Sequence, residues 1–282
     1  MLANKIYLNK QKSFWAQIKL VSMTLGYSQK DKIKVYTIGE IADCLQSQGL
    51  STDHIVDTKG KPTKEGSDMV SYFIYRSKIL HEAAEPNLMT REKAKVEFEK
   101  LLKVADKKLN IHIPYNKQKG DKRHYAYLTG IVNILTATTL GHTNFEHDPR
   151  TLIVISKNGK PIQTLSRRVD GAYPATKNPK AIWEIKEYYG TKTFGSRVAD
   201  GVYETLLDGY EIKELTSGGG DSIGHYLIID DYYTWWSCGK SYLCRMVDMI
   251  HAGYVDEVIF GKEVIKRWPE IVKKWPKLPS KK

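Results

Sequence analysis

Arg167 to Tyr189 reads RRVDGAYPATKNPKAIWEIKEYY, and the fold turns on how its two halves are taken. The first half sets an acid, Asp170, in a polar, turn-like run. The second half, Ala181-Ile182-Trp183-Glu184-Ile185-Lys186, has the β-branched and aromatic content of a strand. Successive side chains on a strand point to opposite sides, so Ile182, Glu184 and Lys186 share one face while Trp183 and Ile185 take the other. Two carboxylates and an amine gathered at a strand edge suit a hard divalent cation and an activated water. The plainer reading is a solvated edge strand whose Glu-x-Lys makes an ion pair worth a few tenths of a kcal/mol. The surrounding chain favours the first.

Upstream, Thr151 to Ile155 reads as a buried strand, Asn158-Gly159 as a hairpin turn, and Pro161 to Val169 as a return strand that delivers Asp170. Downstream come a helix over Arg197 to Leu207, interrupted in propensity by Gly201, and a strand over Tyr226 to Asp230. A helix over Lys240 to Ala252, a strand over Val255 to Phe260 and a short helix over Lys262 to Trp268 complete the chain. From about residue 150 the order is β-β-β-α-β-α-β. That predicts an α/β (α+β) fold with a mixed central sheet flanked by helices.

The preceding half is helical. Thr37 is an N-cap with Glu40 at capping-box spacing, and Ile38, Ile41, Ala42 and Leu45 form the stripe that follows. Amphipathic helices are expected over 13–25, 69–80 and 92–109, the last with Val96, Leu101, Leu102 and Ala105 to one side. Residues 125–140 read as a core helix. The expected division is residues 1–148, helical, and 149–282, holding the sheet. Thr-x-x-Glu-Ile-Ala-x-x-Leu with a second helix after it resembles a helix-turn-helix or winged-helix module over residues 35–82. That resemblance implies DNA contacts from Arg76 and Lys78 and a role in recognition or dimerisation.

The 282 residues carry a formal charge of +12, which favours a polyanionic partner through phosphate contacts and counterion release. Cys44, Cys238 and Cys244 form no CxxC pair, which argues against a zinc site and for buried thiols in a reducing compartment. No apolar run is long enough to span a bilayer. A cytoplasmic protein with no membrane partner is expected. Ser217 to Asp221, SGGGD, lacks the Lys-Ser/Thr of a phosphate-binding loop, and no Ser or Cys nucleophile accompanies His142 and His147. Other acids are weaker candidates. Asp200 and Glu204 stand four apart on one helix face but are read as solvated, and Asp230-Asp231 as a loop edge beside Tyr232 to Trp236. That aromatic run is read as core and rim packing rather than a base-stacking platform.

An acid at a strand end, followed by a strand ending Glu184-Ile185-Lys186 and then helix, strand, helix, strand, resembles the PD-(D/E)xK nuclease superfamily over about residues 150–265. It is most similar to a type II restriction endonuclease. The resemblance implies a restriction-endonuclease-like core and a Mg²⁺-dependent, sequence-specific endodeoxyribonuclease acting on double-stranded DNA as a homodimer. Asp170, Glu184 and the Ile185 carbonyl would hold the metal, and Lys186 would orient or help deprotonate the water. Arg167, Arg168, Lys192 and Arg197 flank these residues and would grip phosphates. Two departures stand out. Val169 rather than proline precedes Asp170, and the helix over 125–140 has no acid where many members carry one. Glu99 is the expected substitute, with Glu97 and Glu146 as rivals. The competing functions are a non-catalytic helix-turn-helix DNA-binding protein, and a repair or phage-defence nuclease on the same fold.

Overall fold

The computed structural model describes residues 1–109, 111–116, 120, 123–190, 195–217 and 222–278, without the side chain of Arg197. The helices are α1 (Lys5–Leu8), α2 (Lys12–Leu25), α3 (Ile38–Ser47), α4 (Lys64–Ile79), α5 (Arg91–Val104), α6 (Tyr127–Leu140), α7 (Ser196–Ser217), α8 (Lys240–His251) and α9 (Val264–Val272). The strands are β1 (Ser28–Gln29), β2 (Lys32–Ile33), β3 (Glu146–His147), β4 (Val154–Lys157), β5 (Lys160–Thr164), β6 (Gly171–Tyr173), β7 (Ala181–Glu187), β8 (Gly224–Asp230) and β9 (Glu257–Phe260).

The fold is α+β, built on a mixed five-stranded sheet of order β3-β6-β7-β8-β9. β6 is antiparallel to β7, while β7, β8 and β9 run parallel. Leu227, Ile228 and Ile229 are all buried, as expected of a parallel strand covered on both faces. The alternation predicted for β7 holds. Trp183 and Ile185 pack with Phe98, Leu128 and Trp268 of α5, α6 and α9, whereas Ile182 packs with Ile155, Leu165 and Ile212 on the other face. Glu184 and Lys186 therefore lie beneath α7.

The hairpin is real but does not join the main sheet. β4 and β5 form a separate two-stranded sheet around Asn158 and Gly159, whose φ values of 52° and 77° are those of a tight hairpin turn. What delivers Asp170 is β6, which begins one residue later with Gly171 paired to Trp183. A Cβ on Gly171 would stand 2.0 Å from the Trp183 ring, so only glycine lets the indole close over this strand.

In the N-terminal region the capping box forms as read: Thr37 Oγ1 accepts from Glu40 N, and the Glu40 carboxylate accepts from Thr37 N at 2.8 Å. Residues 48–63 separate α3 from α4, however, against the turn of about three or four residues that a helix-turn-helix uses. α5 is rotated from its predicted face. Ala94 and Phe98 point inward while Val96 and Leu102 are exposed, because Phe98 fills the space over Gly130 of α6. α5 and α6 thus supply one cover of the sheet. The core on this side of the sheet includes Met89, Ala94 and Phe98, which lie N-terminal to the expected division at 148/149. Among the described residues, no helix is long and apolar enough to cross a membrane.

Candidate functional site

Asp170, Glu184 and Lys186 come together. Asp170 Oδ2 accepts a hydrogen bond of 2.7 Å from the backbone N–H of Ile185, between the other two. This N–H lies just past the end of the β6–β7 ladder, so the carboxylate caps an edge that β6 is too short to pair. Lys186 Nζ donates to Glu184 Oε2 at 2.7 Å and to Glu204 Oε2 of α7 at 3.1 Å. Arg167 enters from the segment after β5. Its Nη1 donates to Asp208 Oδ2 at 2.6 Å, and its Nη2 donates to Glu184 Oε2 at 3.1 Å and lies 3.3 Å from Glu204 Oε2.

The site is thus four carboxylates, from Asp170, Glu184, Glu204 and Asp208, around two cations. Glu184 and Asp208 are fully buried. Asp208 Oδ1 has no hydrogen-bond partner, and Glu184 Oε1 has only an ion contact of 3.0 Å with Arg167 Nη1. Gly201 explains the approach of α7: a Cβ there would meet Tyr188 Oη at 2.8 Å and Lys186 Cδ at 3.2 Å. The glycine that weakened the helix in sequence is the seat on which the Lys186 stem rests.

The charges are unequal. Burial opposes ionisation of Glu184, but Lys186 and Arg167 outweigh it and hold its carboxyl below the ordinary range. Burial, and then the Glu184 charge, push Asp170 up to about 6 and Asp208 up to about 7. The two cations favour one anion first, and the neighbouring acids meet that anion at close range. Burial likewise works against Lys186, but Glu184 and Asp170 keep its ammonium charged well above the ordinary lysine range.

Glu99 does not join the cluster. Its carboxylate is half exposed on α5 and faces Lys95 at 3.8 Å. α6, which has no acid of its own, instead takes one from the end of β7. Glu187 Oε2 accepts from both the N–H and the hydroxyl of Thr129 at 3.0 Å, filling the helix N-terminus from the face opposite Glu184. Burial raises its pKa to about 7. Arg76 cannot reach a nucleic acid, for it is wholly buried and paired with Asp248 at 3.1 Å; Lys78 is exposed and lies 3.8 Å from Glu82. Arg167 is engaged by the carboxylates and Arg168 is exposed. Lys192 and the Arg197 side chain lie outside the described residues.

Asp230 is structural, accepting from Met89 N at 2.7 Å and from the Tyr189 hydroxyl. Trp235 and Trp236 are core, while Tyr233 is exposed. Asp208 is the residue that sequence reasoning missed. Its signal was present: Gly201, Glu204 and Asp208 recur at helical spacing on one face.

Among the described residues, no three His, Cys, Asp or Glu side chains already form a metal cage. The Arg167 guanidinium stands between Glu184 and Asp208. The donors are nevertheless all hard carboxylate oxygens, and the buried Asp208 Oδ1 lacks a hydrogen-bond partner, which is the chemistry a Mg²⁺-like cation satisfies.

A family model described as Domain of unknown function (DUF7687) matches residues 89–275, and a second, Domain of unknown function (DUF7690), matches residues 1–83. No curated protein and no solved structure matches the chain.

Proposed function

The chain belongs to the DUF7687 family, and we propose that it is a Mg²⁺-dependent endodeoxyribonuclease that cleaves double-stranded DNA sequence-specifically, as a restriction enzyme does. The observation that carries this is the hydrogen bond from Ile185 N to Asp170. It pins a second carboxylate beside a Glu-x-Lys strand whose own acid and amine are already in contact.

Asp170 and Glu184, with the Ile185 carbonyl, would hold the cation. When bound it lowers the pKa of a water and offsets phosphate charge. Lys186 suits an electrostatic role better than that of a base, because its neighbours keep it protonated. From the same face as Glu184 it orients the attacking water and balances charge gathering on the phosphate. Asp170, fixed through the strand backbone, keeps its position without relying on a flexible partner. Arg168, exposed and next in sequence to Arg167, is available for the DNA backbone. Cutting both strands calls for two such sites, so the acting form is read as a homodimer. The free thiols accord with a cytoplasmic setting.

The non-catalytic alternative is less well supported, because the long α3–α4 connection and the burial of Arg76 remove the features on which it rested. The test is plasmid and phage DNA incubated with the protein and Mg²⁺, followed by sequencing of the ends. Discrete fragments are expected, with cleavage lost in Glu184→Ala and Lys186→Ala. Cleavage unchanged by both substitutions would sink the assignment, and ragged, sequence-independent ends would move it to a repair-type nuclease.

A further inference from the structure

We propose that Asp208 of α7 is a further ligand of the divalent cation, and that the Arg167 guanidinium keeps the cation's place until it arrives. This rests on the cation-dependent reading above and extends it to a residue and a displacement outside that reading.

One atom defines the point of convergence. Arg167 Nη1 lies 2.6 Å from Asp208 Oδ2 and 3.0 Å from Glu184 Oε1. Carboxylates from two different elements, a strand and a helix, thus meet at a single cationic nitrogen. Both residues are fully buried. Asp208 Oδ1 has no hydrogen-bond donor, and Glu184 Oε1 has only the ion contact with Nη1, so the guanidinium does not exhaust what the pair can accept. Buried carboxylates left short of donors are costly, and a hard dication with its waters supplies what a single planar fork cannot. Arg167 is the more readily moved group, since its side chain keeps a fifth of its surface exposed whereas Asp208 keeps none.

The backbone is arranged for the same end. Gly201 brings α7 against Lys186, which sets Glu204 and Asp208 one and two turns further along the same helix face. Glu204, partly exposed, bridges Lys186 and Arg167 and would take over part of their pairing when Arg167 withdraws. α7 thereby supplies the helix acid that α6 lacks.

The experiment is calorimetric titration of Mn²⁺ into the full chain without DNA, at one pH, for the natural protein and for Asp208→Asn, Arg167→Gln and, as a control at an exposed acid of α7, Asp200→Asn. Asp208→Asn should weaken Mn²⁺ binding on the order of tenfold to a hundredfold, as loss of a metal-site partner does. Arg167→Gln should tighten it roughly tenfold, because the competent state no longer has to expel a cation. Asp200→Asn should bind as the natural protein does. Asp208→Asn binding unchanged, or Arg167→Gln binding no tighter, would overturn the proposal; the Arg167 arm does not depend on whether Asp208→Asn folds. If the natural protein binds no Mn²⁺ at all, the cation-dependent function falls with it.

Discussion

Asp170 accepts a hydrogen bond from the backbone N–H of Ile185, so an acid from the start of one strand is positioned by the main chain of its neighbour. The contact separates placement from charge. Asp170→Asn keeps an acceptor oxygen for Ile185 but removes the negative charge. The expected outcome is thermal stability at pH 8 equal to or above that of the natural protein, with Mg²⁺-dependent cleavage of plasmid DNA reduced at least on the order of a hundredfold. Asp170→Ala should in addition cost about 1–3 kcal/mol in denaturant unfolding, because it strands the Ile185 N–H.

Gly201 faces the stem of Lys186 and the Tyr188 hydroxyl with no room for a branched side chain. Gly201→Val should destabilise the fold by about 1–3 kcal/mol through overpacking, and should also push α7 away from β7. Urea unfolding reads the first effect and Mn²⁺ affinity the second. Full stability together with natural affinity would show that the helix does not rest on Lys186.

Glu187 is half-buried, with its carboxylate enclosed at the N-terminus of α6 and a pKa raised to about 7. A carboxyl raised in the folded state contributes stability that is complete below its unfolded pKa and is lost as pH climbs through the folded value. The neutral isostere Glu187→Gln has no such loss. The stability difference between the two proteins should therefore shift in favour of Glu187→Gln by about 1 kcal/mol between pH 6 and pH 8. The quantity to plot is that difference from urea unfolding at several pH values; a flat line would mean that Glu187 is ionised throughout.

Arg76 joins α4 to α8 through Asp248 and is closed off from solvent. Arg76→Met should leave Asp248 without its cation and cost about 3–5 kcal/mol, whereas Lys78→Ala, on the surface, should change stability by less than about 0.5 kcal/mol. DNA affinity of whatever Arg76→Met protein remains folded should match the natural value in a gel-shift titration. A specific loss of DNA binding without loss of stability would restore the recognition role to this helix.

Much of this was legible in the chain alone, because it depends on spacing between near neighbours. The alternation of Ile182, Glu184 and Lys186 against Trp183 and Ile185 follows from strand geometry and survives in the fold. The Thr37–Glu40 box and the Asn158-Gly159 turn are likewise local, their partners only a few residues apart. What the sequence could not decide is which distant surfaces meet. Whether Val96 or Phe98 faces inward depends on Gly130 of another helix, and the fate of Arg76 depends on an aspartate far along the chain. Asp208 became part of the site only because β7 and β8 pair in parallel, which returns the chain through α7 across the face that carries Glu184 and Lys186. Periodicity reveals which face of an element is apolar. The order of strands in the sheet, set by burial over the whole molecule, decides which acids that face will find.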